Sequence, residues 1–182
     1  MKRISLFFAA TILFIPLFLN ATSFREDAKV NWLTMEEAEA LALEEPRMIF
    51  VDVYTDWCGF CRRMTAETYS HPVIAAYLNE NFYPVKFNAE QHDPISFQGV
   101  EYVNKNPGQR RSAHDFAIAI LQGRLSYPTV VFFDEDIRLL TALPGFRPPK
   151  SMEAVLAFFS THAYEESSDL QGFIEGFVGS VD

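Results

Sequence analysis

The sequence predicts an α/β fold: a central mixed β-sheet with helices on both faces. Three observations carry this. A strand–helix–helix–strand unit occupies the first half of the chain, a strand and its hairpin partner follow, and a helix closes the order. The bulk composition agrees with one well-packed domain: 182 residues, 49% hydrophobic and 21% charged, with 18 phenylalanines. A formal charge of −9 argues against nucleic acid or an anionic membrane as the main partner, because both require a basic face.

The elements follow in order. Lys2 and Arg3 precede the apolar run "ISLFFAATILFIPLFL", and Ala21 offers a small residue after it. A basic start, an apolar stretch and a small-residue exit are the parts of a secretory signal peptide, here residues 1–21. The alternative is an uncleaved anchor, but Pro16 interrupts the run, which is shorter than the roughly 20 residues a spanning helix needs. The remaining residues 22–182 form the predicted domain, with its core over about 30–162 and a tail over 165–182.

"TMEEAEALALEE" begins with Thr34 and carries Glu37 three residues on, a capping box, and Pro46 ends the helix. "RMIFVDVY" is rich in β-branched and aromatic residues and reads as a strand buried on both faces. "CRRMTAETYS" continues as a helix, "HPVIAAYLNENF" as a second with Pro72 in its first turn, and "YPVKFNAE" as the next strand. In the insert 91–111, "ISFQGVEYV" alternates around Gln98-Gly99 as a small hairpin, and "NPGQRR" with Arg110 and Arg111 is a loop. Ser112 is expected to cap "AHDFAIAILQ", with Gly123 past its end. "YPTVVFFDED" is a strand, "IRLLTAL" its hairpin partner, and Ser151 the expected cap of "MEAVLAFFSTHAY". The tail is weakly helical, with glycines that oppose a helix.

Both cysteines lie in one turn, "DWCGFC". A strand that ends in Cys58-x-x-Cys61 with a helix starting at the first cysteine places one sulfur among unpaired N–H groups, which favour its thiolate. Cys61 is one helical turn on, within reach of Cys58, and Gly59 leaves room for a partner chain. This is the arrangement of a nucleophile and its resolving thiol, exchanging disulfides through a mixed disulfide. Two other uses compete. A structural bridge across so short a loop restrains the unfolded chain little. Zinc wants about four ligands, and the chain has no second cysteine pair.

The stretch "VDVYTDWCGFCRRM" resembles the signature of the thioredoxin superfamily. Three distant features agree: Asp52 six residues before Cys58, Lys86 and Asn88 in "VKFN", and Pro128 in "YPT". The resemblance implies a thioredoxin-like fold over about residues 30–162, with an insert before the strand that follows a cis proline at 128. It implies Cys58, Cys61, Asp52 and Lys86 as catalytic residues, with Asp52 accepting the Cys61 proton through water and Lys86 tuning it. The competing reading of Asp52 is a side chain that escapes to the strand end. Trp57, Gly59, Phe60, Tyr127 and Pro128 are implied as the substrate-binding set, with Trp57 shielding the site and the Tyr127 backbone pairing with an extended substrate segment.

The family's commonest dipeptide between the cysteines is Gly-Pro, whereas this chain has Gly59-Phe60, so reducing strength does not carry over. The expected function is a thiol–disulfide oxidoreductase, with reduction favoured, that works in the periplasm or after secretion. It needs no cofactor beyond the redox-active Cys58–Cys61 pair and no metal. Its partners are protein thiols and disulfides and a membrane or soluble electron donor, with contact to the membrane only through an uncleaved signal segment. A copper-delivering module using Cys58, Cys61 and His114 is a second possibility, because thiolates select Cu(I). A non-catalytic binding module is a third.

Overall fold

The computed structural model describes residues 28–181. The expected signal segment 1–21 lies outside the described residues.

The helix α1 (Met35–Glu44) starts at the predicted capping box: Thr34 Oγ1 accepts from the Glu37 N–H, and Glu37 answers on the Thr34 N–H. Strands β1 (Ile49–Tyr54) and β2 (Tyr83–Asn88) run parallel, joined through α2 (Gly59–Met64) and α3 (Pro72–Asn81). A small antiparallel hairpin, β3 (Ile95–Phe97) and β4 (Val100–Tyr102), turns on Gln98 and Gly99, whose φ angles are 50° and 74°. Two positive φ values are what a two-residue hairpin turn of type I′ requires. After α4 (Asp115–Ile120) come β5 (Thr129–Phe133) and β6 (Leu139–Pro144). The chain closes with α5 (Pro149–Ser160), α6 (Ala163–Glu166) and α7 (Leu170–Gly176). The main sheet has the order β2-β1-β5-β6, with β1 antiparallel to β5 and β5 to β6. This is the expected mixed sheet, with the hairpin insert ahead of the strand that follows Pro128.

Because side chains alternate along a strand, β1 feeds two cores. Ile49, Val51 and Val53 pack with α1, α4 and the β3–β4 hairpin. Phe50 faces the other way, with Met64, Tyr69, Ile74, Leu78 and the buried face of α5. Asp52 shares Phe50's parity and so points to the side that carries α2. On β2, Val85 and Phe87 belong to the first core, which leaves Lys86 on Asp52's face.

Three local expectations differ. The predicted helix after the cysteines is not uniform: α2 gives way to a π-helical segment over Thr65–Tyr69. Ser112 does not cap α4. Its hydroxyl donates to Asn104 Oδ1, and His114 is the cap, its Nδ1 accepting from the Phe116 N–H at 3.1 Å. Asn104 explains the change, since its amide also donates to three carbonyls, of Glu90, Gln91 and Ser112, and knots the insert closed ahead of the helix. Ser151 does not cap α5 either, because Pro149 starts that helix after Pro148. The tail forms the short α6 and α7 and folds back, with the buried Glu153 carboxylate accepting from the N–H groups of Ser180 and Val181.

Candidate active site

The end of β1 delivers the chain through Thr55, Asp56 and Trp57 into Cys58, the N-cap of α2. The Cys58 N–H donates to the Thr55 carbonyl at 3.1 Å, which makes the turn tight. Cys58 and Cys61 form a disulfide, with an S–S distance of 2.03 Å. The Cys61 N–H donates to Cys58 Sγ at 3.0 Å. That donor is a fixed dipole aimed at the sulfur that would carry negative charge on reduction. Both cysteines are nearly buried, at 5% and 4% exposure, while the flanking Trp57 and Phe60 are open to solvent at 51% and 60%. Gly59 is exposed, and a Cβ there would meet only the Arg62 guanidinium at 3.9 Å.

Behind this turn, Asp52 lies buried and does not escape to the strand end. The register sets it directly opposite Lys86, whose Nζ donates to Asp52 Oδ2 at 3.0 Å. Oδ1 is buried with no hydrogen bond, as are the Tyr69 hydroxyl and Thr55 Oγ1. Burial pushes the Asp52 carboxyl above the usual carboxylate range, and the Lys86 charge only partly restores it. Burial and the neighbouring Asp52 charge together push the Tyr69 phenol well up. A cleft of about 290 Å³ lined by Cys61, Thr55, Thr65 and Lys86 opens this region to solvent.

The structure brings the distant sequence candidates together. The Tyr127–Pro128 peptide is cis, and the Tyr127 ring meets the Trp57 ring edge-on at 6.0 Å. Pro128 is buried and its carbonyl accepts from the Gly145 N–H at 2.8 Å, whereas among the described residues the Tyr127 N–H and carbonyl have no partner. Asn88 anchors the other rim, donating to Asp56 Oδ2.

Several residues at the site were not legible as such. Trp57 Nε1 donates to Glu90 Oε2 at 3.0 Å, and the Arg111 guanidinium of the insert lies 5.4 Å from the Trp57 ring centroid. Phe146, after β6, sits 6.4 Å from the Phe60 ring under Arg63. Trp32, Tyr54 and Tyr69 surround Lys86. No local signal links Arg111, Phe146 or Trp32 to the cysteines, because each reaches them only through the fold.

His114 is the one candidate that the structure removes. It is buried, stacked edge-on against Phe87, with Nδ1 accepting from Phe116 and Nε2 facing the Asp93 carbonyl at 3.2 Å. A ring whose Nδ1 accepts keeps its proton on Nε2 and has no lone pair free for copper. Among the described residues no group of three or more His, Cys, Asp or Glu side chains is arranged to hold a metal ion.

The family model of a thioredoxin-like domain matches residues 35–160. No curated protein matches the chain by sequence. Solved structures share the fold at low identity. A thioredoxin-fold protein from Helicobacter pylori superposes with a TM-score of 0.58 at 17% identity, covering 85% of this chain and 93% of that one. A thioredoxin from Thermus thermophilus gives 0.57 at 19%, covering 77% and 95%. A putative disulphide-isomerase from Bacteroides thetaiotaomicron gives 0.51 at 21%, covering 76% and 98%.

Proposed function

The chain belongs to the thioredoxin-like family and is a thiol–disulfide oxidoreductase, and we propose that it acts as a reductant of protein disulfides outside the cytoplasm. One observation carries the reading: a closed Cys58–Cys61 pair, with a backbone donor on Cys58 Sγ, in front of a buried Asp52 paired with Lys86.

In the reduced protein the Cys58 thiolate attacks one sulfur of a substrate disulfide. A Cys58–substrate bond forms, the substrate S–S bond breaks, and one substrate thiolate leaves. Asp52, through water in the adjoining cleft, takes the Cys61 proton. The Cys61 thiolate then attacks Cys58 Sγ, closes the Cys58–Cys61 bond and expels the second substrate thiolate. Two electrons pass to the substrate, whose thiolates take protons from Asp52 and water. A dithiol donor resets the oxidised pair by the same exchange in reverse. Trp57, Gly59 and Phe60 on one side and Tyr127, presented by the buried Pro128, on the other form the receiving surface. The unpartnered Tyr127 backbone is positioned to pair with an extended segment.

The reducing direction is supported by what surrounds Cys58. A strong oxidant needs a heavily stabilised thiolate. Here Arg62 reaches away to the Asp56 carbonyl and Arg63 to Glu67, which leaves the helix-end N–H as the donor on the sulfur. The location is supported by Lys2, Arg3 and the apolar run after them, with residues 22–182 as the exported domain. Equilibration against glutathione tests the direction: a potential below about −230 mV is expected, and one near about −120 mV would make the protein an oxidant.

A further inference from the structure

The Lys86 ammonium is enclosed in a way that pairing with Asp52 does not require. Nζ lies 4.8 Å from the Trp32 ring centroid, 5.1 Å from that of Tyr54 and 5.3 Å from that of Tyr69. It also donates to Thr65 Oγ1 and Asp52 Oδ2, each at 3.0 Å. An ammonium has three N–H donors and no acceptor, so two are bonded and the third faces the rings and the open cleft. The rings come from three separate stretches: the segment before α1, the end of β1 and the π-helical segment. They also brace one another, with Trp32 edge-on to Tyr69 at 5.0 Å and tilted on Phe50 at 6.4 Å. The π-helical segment supplies both Thr65 and Tyr69, so the extra residue in that turn is what brings a hydroxyl and a ring to one ammonium.

We propose that Trp32, Tyr54 and Tyr69 are positioning residues: their rings form a cage that holds the Lys86 ammonium on the Asp52 carboxylate. Lysine is a strongly hydrated charge on a flexible four-carbon stem, and at a half-buried site it would otherwise swing to water and leave the carboxylate alone. Ring faces replace part of the lost hydration without a competing anion, so the charge stays directed at Asp52. The cage thereby keeps Asp52 ionised at a lower pH than burial alone would allow, and with it the capacity to take the Cys61 proton. The other charged or titratable groups facing this site are Asp56 after β1, Cys61 and Arg62 on α2, Arg147, which faces Tyr69 from the segment before α5, and Lys29, which lines a cleft with Trp32, Thr65 and Tyr69. None of them places a second cation on Asp52.

The inference rests on the reading of Asp52 as proton acceptor, and the test separates the two. Reduced full-length protein is mixed with the symmetrical disulfide of thionitrobenzoate. The first release of chromophore reports attack by Cys58, and the second reports resolution by Cys61. The second phase is followed against pH. Trp32→Leu shifts its midpoint to higher pH and slows it about threefold to tenfold at pH 7. Lys86→Gln does at least as much, and adding Trp32→Leu to Lys86→Gln changes nothing further. Trp32→Phe, which keeps a ring face, stays close to the parent. Tyr54→Leu, at a half-exposed position, repeats the shift without opening the core, so the outcome stands even if Trp32→Leu fails to fold. Profiles of Trp32→Leu or Tyr54→Leu identical to the parent, beside a shifted Lys86→Gln, overturn the cage and leave the Asp52 reading intact. A parent-like profile in Asp52→Asn overturns the Asp52 reading itself.

Discussion

Asp52 and Lys86 are direct register partners on the parallel strands β1 and β2, and their side chains meet at 3.0 Å on the face that carries the cysteine helix. Neither residue is near the other in sequence. Two strands of matching parity place a cation against a carboxylate whose charged form burial disfavours.

Removing that carboxylate has a kinetic consequence. Asp52→Asn keeps the shape but cannot accept a proton, so insulin reduction at pH 7 in the presence of dithiothreitol should fall about tenfold to a hundredfold. The first thiol's reaction with a small disulfide should change much less, and stopped-flow measurement of the two phases checks the split.

The same residue sets a pH slope in stability. Burial raises the Asp52 carboxyl in the folded chain above its ordinary 3.8, so the folded state holds its proton more tightly than the unfolded chain does. That contribution is fully present below pH 3.8 and is lost as pH rises through the folded value. Asp52→Asn removes the loss. The stability advantage of the variant over the parent should therefore grow as pH rises from acid to neutral, as read by urea unfolding at several pH values. A constant difference would contradict the burial of a titrating carboxyl.

The two cysteines should separate by role. Cys58→Ser should abolish insulin reduction. Cys61→Ser should retain the first attack and accumulate a covalent protein–substrate disulfide, visible by mass spectrometry as an adduct that dithiothreitol releases. Adducts on Cys61 in the Cys58→Ser protein, at the same rate, would reverse the assignment.

Trp57 is half open to solvent, so Trp57→Ala should alter stability by no more than about 0.5 kcal/mol. It removes the ring that touches Tyr127 and Glu90 and lies under Arg111. The KM for a protein disulfide should rise about threefold to tenfold with kcat nearly unchanged, the pattern of a lost binding contact.

His114 should behave as core. Burial lowers its pKa below the ordinary 6.5, so its neutral form supports the fold, and that support is lost as pH falls from 6.5 through the folded value. His114→Ala should cost about 1–3 kcal/mol through the lost cap and the lost packing on Phe87. It should leave thiol reactivity at Cys58 untouched, which unfolding and thiol-labelling measurements check side by side.

The elements were legible where local rules were strong. The Thr34–Glu37 capping box, Pro72 in the first turn of α3 and the Gln98-Gly99 turn each act within four residues, and the structure has all three. Ser112 and Ser151 obeyed the same rule on paper but lost, the first to a side chain elsewhere in the fold and the second to a proline near it in sequence. Asn104 took the Ser112 hydroxyl, and a proline at the first helical position moved the start of α5. The π-helical segment had no sequence signature; it ends on Tyr69, whose ring packs against Trp32 and Phe50 from other parts of the chain.

The sequence by itself determined the mixed sheet, the turn that holds Cys58 and Cys61, and the presence of a carboxylate in a strand that had to be buried. Hydrophobic periodicity and turn chemistry are short-range, and those features need nothing else. Only the tertiary structure decided which groups meet there. It set Lys86 on Asp52, laid Tyr127 and Arg111 against Trp57, closed three rings around one ammonium, and turned His114 inward. Those contacts join residues from remote parts of the chain. Their geometry comes from strand register and from the way helices settle on the sheet, neither of which is written at any single position.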